Sequence, residues 1–368
     1  MKRRILLVVI LMIFGICMAA GGFVFYGRSQ MKKLPGLSFK ESLAYTTKDN
    51  PDAVISVGNI QDGKASFTVY GEDGTELAPE LHTYEIGSIT KTFTAALIEK
   101  AILEGKVGID DPINMYLPLP AGNHYPKVRQ LLTHTSGYRG YYLERPMMDN
   151  ILGGGNDYLG ITREMVLSRV AKLDLNQENY GFSYSNFGYA VLGLVLESVY
   201  GTDYMTLLND FTQNNLGLAD TCISLQKGDL GNYWEWNADD AYLAAGAITS
   251  NMEDMLRYAK LQLEAESQTI TDITGPFAKC HERLETIDAS TSDNKMLDIN
   301  MDGIGMAWII DDENGFIWHN GATSQYNSYL GFDPETGTAV VILSNLSPKY
   351  RIPATVLGVK LLQELAGQ

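Results

Sequence analysis

Strand-forming patterns occur near both ends of this 368-residue chain, and helix-forming patterns fill the region between them. Alternating β-branched and aromatic residues predict a hairpin over 53–57 and 66–70, and further strands over 305–310, 315–319, 326–332 and 338–344. Apolar residues at helical spacing predict helices over 88–106, 163–173, 184–200, 204–215, 251–265 and 353–366.

This distribution favours an α+β fold in which both ends of the chain contribute strands to one antiparallel sheet. We expect helices from the two termini to flank the sheet, and the middle of the chain to form a mostly helical subdomain. A cleft between the sheet and this subdomain is the expected position of a binding site.

The N-terminus predicts a membrane segment. Lys2-Arg3-Arg4 precedes an unbroken run of apolar and small residues from Ile5 to Tyr26. As a helix, 22 residues extend about 33 Å, which is enough to cross a bilayer core of about 30 Å. We therefore expect an uncleaved anchor over residues 5–26, within an N-terminal segment 1–33. Cleavage of a signal peptide near Gly22 is the alternative, because Ala19-Ala20-Gly21-Gly22 offers small residues.

The charges flanking the apolar run are three on each side and do not fix its orientation. The anchor and the cleaved signal peptide both predict a body outside the cytoplasm, and a tethered cytoplasmic domain is the third option. Residues 34–368 contain 22 Lys and Arg but 44 Asp and Glu, a net charge of −22. A body this acidic repels phosphate backbones, so a nucleic-acid partner is not expected.

Cysteine and histidine spacing predicts no metal site and no cofactor. Cys17 lies in the apolar run, which leaves Cys222 and Cys280 as the one possible disulfide outside it. No cysteine pair has zinc-type spacing, and the five histidines form no His-x-x-x-His pair.

Serine followed three residues later by lysine occurs four times, beginning at Ser29, Ser88, Ser224 and Ser292. Ser88 comes at the start of a predicted apolar helix, where free backbone N–H groups can stabilise an oxyanion. Lys91 shares a face with Ser88 in a helix, and its partial burial would lower its pKa and make it a base. Ser29 is juxtamembrane, and the other two serines lead into predicted loops. Ser88 is therefore the candidate nucleophile, the alternative being a helix cap with a surface lysine.

Two further motifs contain chemically useful side chains. Tyr184-Ser185-Asn186 opens a predicted helix, and here a tyrosine can relay a proton while an asparagine can hold a substrate amide. The segment Trp318–Thr323 contains His319, Gly321 and Ala322, and the glycine would let a substrate backbone lie against the strand. Taken singly, the first is also typical of a helix start and the second of a turn at a strand end.

In this order, the three motifs resemble those of the serine hydrolase family of class C β-lactamases and low-molecular-weight penicillin-binding DD-peptidases. The resemblance runs from roughly residue 45 to 346. It implies a serine hydrolase domain over 51–346, a preceding linker over 34–50, and a C-terminal helix of the same domain within 347–368. Further segments that share it are Tyr84–Lys91, Asp111-Pro112, Tyr116–Pro118, Leu131–Gly137, Asn215–Leu218, Ala245–Ser250, Gly303-Ile304-Gly305 and Trp308.

The resemblance implies a role for each candidate residue. Ser88 would be acylated, Lys91 and Tyr184 would share general-base and general-acid work, and Asn186 would orient the substrate amide. The backbone N–H groups of Ser88 and Ala322 would form the oxyanion hole.

His319 stands where the β-lactamases of this family have the lysine of Lys-Thr-Gly. Family members with histidine there are more similar to DD-peptidases, D-aminopeptidases and esterases, and a neutral imidazole binds a carboxylate less well than lysine does. Efficient β-lactam hydrolysis is therefore not expected. A nearby substrate carboxylate would raise the pKa of His319, so anionic substrates would bind better as the pH falls towards 6.

These features predict a membrane-anchored, extracytoplasmic enzyme that forms an acyl-enzyme with a D-amino-acid peptide or amide. Its substrate would be a small peptide, with cell-wall stem peptide as the leading candidate, as for a DD-carboxypeptidase. The alternatives are an esterase, a weak β-lactamase, or a penicillin-binding sensor or scaffold without turnover. The sequence leaves the oligomeric state open.

His134 and Ser136 are expected to be structural. Five aromatic residues could line the mouth of a cleft or belong to an ordinary surface loop: Tyr138, Tyr141, Tyr142, Trp234 and Trp236.

Overall fold

The computed structural model describes residues 36–175, 180–266, 275–277, 279–288 and 298–367. The predicted anchor over residues 5–26, Ser29 and Ser292 lie outside these ranges. Within the ranges, no helix is both long enough and apolar enough to cross a bilayer.

An antiparallel sheet of eight strands forms the centre of the described part of the chain. Its strands are ordered β2-β1-β11-β10-β9-β8-β7-β6. β1 pairs with β11, with Ile55 opposite Ser344, so the first and last strands in the sequence are neighbours. This pairing confirms the prediction of a sheet built from both ends of the chain. The strands are β1 Ile55–Gln61, β2 Lys64–Tyr70, β6 Glu285–Thr286, β7 Gly303–Ile304, β8 Ile309–Asp311, β9 Phe316–Ala322, β10 Asn327–Asp333 and β11 Thr338–Ser344.

A small second sheet lies beside the large one. It contains β3 Tyr84–Glu85, β5 Ile248–Ser250 and β4 Cys222–Ile223, in that order. Strands of two or three residues are too short to display an alternating pattern, so the sequence did not predict them.

The helices lie mainly between β2 and β6 in the chain, as predicted. The predicted helix over 88–106 begins as a 3₁₀ turn, Gly87–Ile89, and continues as α2. The predicted helix over 204–215 consists of α7 followed by a π-helical turn, Phe211–Asn215. The helices are α1 Phe39–Thr47, α2 Thr90–Leu103, α3 Val128–Leu132, α4 Arg145–Gly153, α5 Arg163–Lys172, α6 Asn186–Tyr200, α7 Tyr204–Asp210, α8 Leu243–Gly246, α9 Met252–Glu266 and α10 Ala354–Ala366.

The structure corrects the predicted linker over 34–50, because most of it is helix α1. Ser38 caps this helix: its Oγ accepts from Glu41 N at 3.2 Å, and its N donates to Glu41 Oε2 at 2.8 Å. Phe39 and Leu43 are buried in the apolar cluster that contains α10. This capping box and two apolar side chains are enough to fix a short helix that the polar composition had obscured.

Two apolar cores occupy the two faces of the large sheet. Alternate residues of β11 divide between them, since successive side chains of a strand point to opposite faces. Val341 and Leu343 pack with the helical subdomain, whereas Val340 and Ile342 pack with α1 and α10. Cys222 and Cys280 are not joined by a disulfide.

Candidate active site

Ser88 lies in the 3₁₀ turn that connects β3 to α2. Gly87 precedes it with φ of 50°, a left-handed conformation that glycine adopts without strain. A Cβ at Gly87 would lie 2.5 Å from the backbone N of Ala322. The missing side chain therefore lets the turn touch the end of β9 and brings Ser88 and Ala322 together.

Lys91 supplies a base next to this serine. Its Nζ lies 3.0 Å from Ser88 Oγ and donates to Ala245 O at 2.7 Å. The side chain is fully buried, and burial holds the pKa of Lys91 well below its usual value. An uncharged amine has a lone pair, so Lys91 can accept the Ser88 proton.

Tyr184 lies on the other side of the nucleophile. The residue as a whole is 39% exposed, but its hydroxyl is buried near Ser88. Burial raises the pKa of Tyr184 above its usual value, and the nearby Ser88 hydroxyl offsets only part of this rise. The phenol is therefore protonated at neutral pH. It can donate a proton and pass one on, while Lys91 is the better base.

His134 holds the segment that contains Tyr184. Its backbone O accepts from Ser183 N at 2.8 Å, and its Nδ1 accepts from Ser185 N at 3.1 Å. Its ring centroid is 4.4 Å from that of Tyr184. Burial, then the neighbouring Lys91 and His319, lower the pKa of His134 well below its usual value. The sequence predicted only a structural turn here, and the structure shows that this turn fixes a candidate catalytic tyrosine.

Asn186 is the first residue of α6, which Ser185 caps by accepting from Gly188 N at 2.9 Å. The Asn186 Nδ2 donates to the hydroxyl of Tyr158 at 2.7 Å. Burial raises the pKa of Tyr158 to about 12, so this hydroxyl stays protonated. No sequence pattern pointed to Tyr158, an isolated tyrosine in a glycine-rich segment.

β9 places His319, Gly321 and Ala322 on one strand. His319 is buried, and its Nδ1 donates to Asn320 O at 2.6 Å. Burial, then Lys91, lower the pKa of His319 to about 3. In the free protein the imidazole is thus neutral well below pH 6, and the expected rise of its pKa beside a substrate carboxylate stays a prediction.

Gly321 accommodates protein backbone rather than only substrate. A Cβ at this position would lie 1.9 Å from the carbonyl oxygen of Ile86, two residues before the nucleophile. This differs from the predicted role, in which the glycine makes room for a substrate. Because Gly321 has no side chain, β9 can contact the turn that contains Ser88.

A cavity of about 90 Å³ is lined by three of the seven candidate residues, and the other four do not line it. Ser88, Asn186 and Ala322 line it together with Ala245 and Gly246. A larger cavity of about 490 Å³ has a different lining, which includes His124, Lys127 and Arg129. Among the described residues, no group of three or more His, Cys, Asp or Glu side chains is placed to bind a metal. The arrangement suits attack by Ser88 on a carbonyl, with Lys91 as base and the two N–H groups facing the oxyanion.

Several known proteins are similar to this chain in sequence or in fold. A beta-lactamase of Pseudomonas fluorescens is 23% identical over 329 residues, which cover 80% of this chain and 88% of that protein. Protein flp of Staphylococcus aureus (strain MRSA252) is 22% identical over 73% of this chain, and the chain spans about half of its length, 53%. A crystal structure of a beta-lactamase/D-alanine carboxypeptidase from Yersinia pestis, complexed with citrate, has a TM-score of 0.69 at 17% identity. The aligned region covers 91% of this chain and 98% of the Yersinia pestis chain.

The family model described as Beta-lactamase matches residues 46–361, which include every candidate site residue. The match spans most of the described chain and both parts of the fold. The chain therefore belongs to the β-lactamase family of serine hydrolases.

Proposed function

We propose that this serine hydrolase acts through an acyl-enzyme on a D-amino-acid amide or peptide. The observation that supports this most directly is the buried Lys91 amine, which lies 3.0 Å from Ser88 Oγ and whose lowered pKa favours the uncharged form. A buried neutral base beside a serine hydroxyl is what acyl transfer requires. The similarity to a protein described as a beta-lactamase/D-alanine carboxypeptidase also supports the substrate class.

In the acylation step, Ser88 Oγ attacks the carbonyl carbon and its proton moves to Lys91 Nζ. The carbonyl oxygen becomes negatively charged and faces the backbone N–H groups of Ser88 and Ala322. When the C–N bond breaks, the Tyr184 hydroxyl donates a proton to the leaving nitrogen, and Lys91 returns a proton to Tyr184. Water then hydrolyses the ester on Ser88 by the same steps in reverse.

The charges around Ser88 affect the choice of substrate. Burial lowers the pKa of both Lys91 and His319 and so disfavours the charged forms that would bind a terminal carboxylate. Within the proposed class, the site therefore favours neutral or cationic substrates over those that end in a carboxylate. The same observation favours a neutral ester as a second candidate, because one nucleophile serves both leaving groups.

The proposal includes attachment to a membrane through residues 5–26, with the enzyme domain outside the cytoplasm. Its basis is the apolar run of 22 residues that follows Lys2-Arg3-Arg4. A cell-wall stem peptide would be accessible to a domain held there.

The nucleophile is tested with a fluorescent fluorophosphonate. The Ser88→Ala variant should lose labelling, whereas Ser224→Ala should keep it. Ser224 is the matched control, since it also precedes a lysine by three residues, but Lys227 is paired with Glu235 at 3.2 Å. Undiminished labelling of Ser88→Ala would overturn the assignment.

Substrate class and turnover are tested with four compounds: a D-Ala-D-Ala peptide, a D-amino-acid amide, a short ester and a chromogenic cephalosporin. We expect the D-amino-acid amide to be hydrolysed fastest. A faster ester would favour the second candidate. A fluorescent penicillin that stays bound to Ser88, with no hydrolysis of any of the four, would instead indicate a binding protein without turnover.

A further inference from the structure

One carboxylate lies in the same cavity as the nucleophile. Asp157 lines the cavity of about 90 Å³ together with Ser88 and Asn186. It belongs to the segment between α4 and α5, outside the three motifs that identify the catalytic machinery. Nothing in the acyl-transfer steps requires an acid at this position.

Four aromatic side chains line the cavity with Asp157: Tyr158, Tyr242, Trp234 and Trp236. Tyr158 and Tyr242 are stacked, with ring centroids 4.4 Å apart and an interplanar angle of 19°. The centroids of the two tryptophan rings are 5.9 Å apart. Trp234 is held at both ends, because its Nε1 donates to Ser324 Oγ at 2.8 Å and its backbone N donates to Glu85 Oε1 at 2.6 Å. These rings form a fixed wall.

The Asp157 carboxylate has no partner within the described part of the chain: it forms neither a hydrogen bond nor an ion pair there. Burial raises the pKa of Asp157, and the positive charge of Lys349 offsets part of that rise without approaching to ion-pair distance. Holding a partly desolvated, unpaired charge costs free energy in the empty enzyme. A bound cation would remove this cost.

An ammonium group fits this environment better than a neutral or anionic group does. A carboxylate attracts it by charge, and aromatic rings attract it through their electron-rich faces. The net charge of −22 over residues 34–368 also attracts cations to the protein. The cavity is small, so the ammonium must lie within a few bonds of the carbonyl that Ser88 attacks.

We propose that Asp157 is a specificity-determining residue that binds a primary ammonium group next to the scissile carbonyl. The preferred substrate is then a D-amino-acid amide or peptide with a free amino group. This inference rests on the proposed function and narrows its substrate class. It also predicts that N-acylated substrates are poorer than their free-amine counterparts.

The kinetic test compares D-alanine p-nitroanilide with N-acetyl-D-alanine p-nitroanilide. In the wild type, kcat/KM should be higher for the free amine. Asp157→Asn should lower this value by about 10-fold or more, mainly through KM, which is the effect of losing one charge-assisted hydrogen bond. The N-acetyl compound should be unaffected. Asp149→Asn is the matched control, because Asp149 lines the neighbouring cavity, which shares Trp234 but not Ser88.

A binding test does not depend on turnover. Titration calorimetry on the Ser88→Ala protein should show tighter binding of D-alaninamide than of N-acetyl-D-alaninamide, and Asp157→Asn should abolish the difference. The inference would be overturned if the two compounds bound with equal affinity, or if Asp157→Asn weakened the binding of both to the same extent. Either result would do so even if Ser88 is the nucleophile. Failure of the proposed function is a separate result, seen as fluorophosphonate labelling that survives Ser88→Ala.

Discussion

Three nitrogen bases share the buried space behind the nucleophile: Lys91, His134 and His319. Burial is the largest cause of the lowered pKa of each, and each histidine is further affected by Lys91. Among the described residues, none of the three is paired with a carboxylate. Desolvation, rather than an ion pair, is therefore the main reason why the charged form of each base is disfavoured and why Lys91 can accept a proton.

The Lys91→Arg variant tests this explanation. A guanidinium remains charged even when buried and cannot accept the Ser88 proton, although it keeps hydrogen-bond donors. Hydrolysis should fall by about 10²- to 10⁴-fold, the usual contribution of a general base. Because the pKa of Lys91 is lowered, activity of the wild type should be retained below the usual lysine range and lost only as the pH falls through the lowered value.

The measurement is the rate of fluorophosphonate labelling and hydrolysis, with thermal unfolding to show that the variant folds. Lys227→Arg is the control, since Lys227 occupies the equivalent place in the Ser224 motif but is exposed. A Lys91→Arg enzyme with near-normal rates would show that proton acceptance by Lys91 is unnecessary.

His319 leads to a prediction about pH. With a pKa of about 3, its imidazole is neutral throughout the range from pH 5 to 8. The kcat/KM values of an anionic and a neutral substrate should therefore follow parallel pH profiles in this range. His319→Gln should leave both profiles parallel. A gain towards pH 6 that is limited to the anionic substrate would show that His319 becomes charged when that substrate binds.

Protein stability provides a second readout for His319. The folded pKa is lower than the usual 6.5, so the unfolded chain binds the proton first as the pH falls. Stability is thus lost between pH 6.5 and 3, by about 1.4 kcal/mol per pH unit. His319→Gln removes this contribution. Denaturant unfolding should show a smaller loss for the variant than for the wild type between pH 6.5 and 5.

The sequence predicted the residues whose roles depend on local spacing, but not those whose roles depend on distant contacts. Ser88 and Lys91 are three residues apart, and one helical turn brings them together. His134 reaches Tyr184 from a turn about 50 positions away in sequence, and Asp157 enters the cavity from a glycine-rich segment. Neither connection leaves a periodic signal in the chain.

Among the elements, β9 and the turn before α2 must touch for the site to form. Ser328 on β10 donates to the carbonyl oxygen of Ile86 at 2.8 Å, and Gly321 packs against the same carbonyl. Gly87 in turn packs against Ala322. The two glycines allow the close approach of these backbones that the proposed oxyanion hole of Ser88 and Ala322 requires.

Gly321→Ala should break this contact. The added Cβ would lie 1.9 Å from Ile86 O, so strand and turn must separate. We expect a loss of about 10²- to 10³-fold in kcat, comparable to removal of one oxyanion-hole donor. Gly153→Ala is the control, because nothing lies within 4 Å of its Cβ position and its φ is not left-handed.

The two variants should be compared by kcat for the D-amino-acid amide and by thermal unfolding. A Gly321→Ala enzyme that folds and keeps its full kcat would show that the spacing between β9 and the Ser88 turn is not critical.

Element length explains which parts of the fold could be predicted. Long periodic segments such as α6, α9, β10 and β11 agree with the sequence patterns within a few residues. The nine-residue helix α1 was missed because its polar face dominates the composition, and the strands of the small sheet were missed because they are short. Whether such short elements form depends on tertiary packing, which no local sequence pattern encodes.

At the scale of the whole molecule, the proposed anchor and the described body lie close in sequence. Tyr26 ends the apolar run, and α1 begins at Phe39 and packs with α10 on the sheet. The fixed part of the body therefore starts earlier than the predicted linker allowed. Arg28, Lys32 and Lys33 are the basic residues between the run and α1 and are followed by trypsin-cleavable bonds.

Trypsin added to intact cells tests both the anchor and its orientation. If residues 5–26 span the membrane and the body is outside, the body should be released with a new N-terminus at Ser29, Lys33 or Leu34. Cleavage inside α1 is not expected, because packed helices resist proteolysis better than exposed termini do. A cytoplasmic marker protein that stays intact controls for lysis. Protection of the body until the cells are broken would place it in the cytoplasm. Protein that washes free without trypsin and begins near Gly22 would instead identify a cleaved signal peptide.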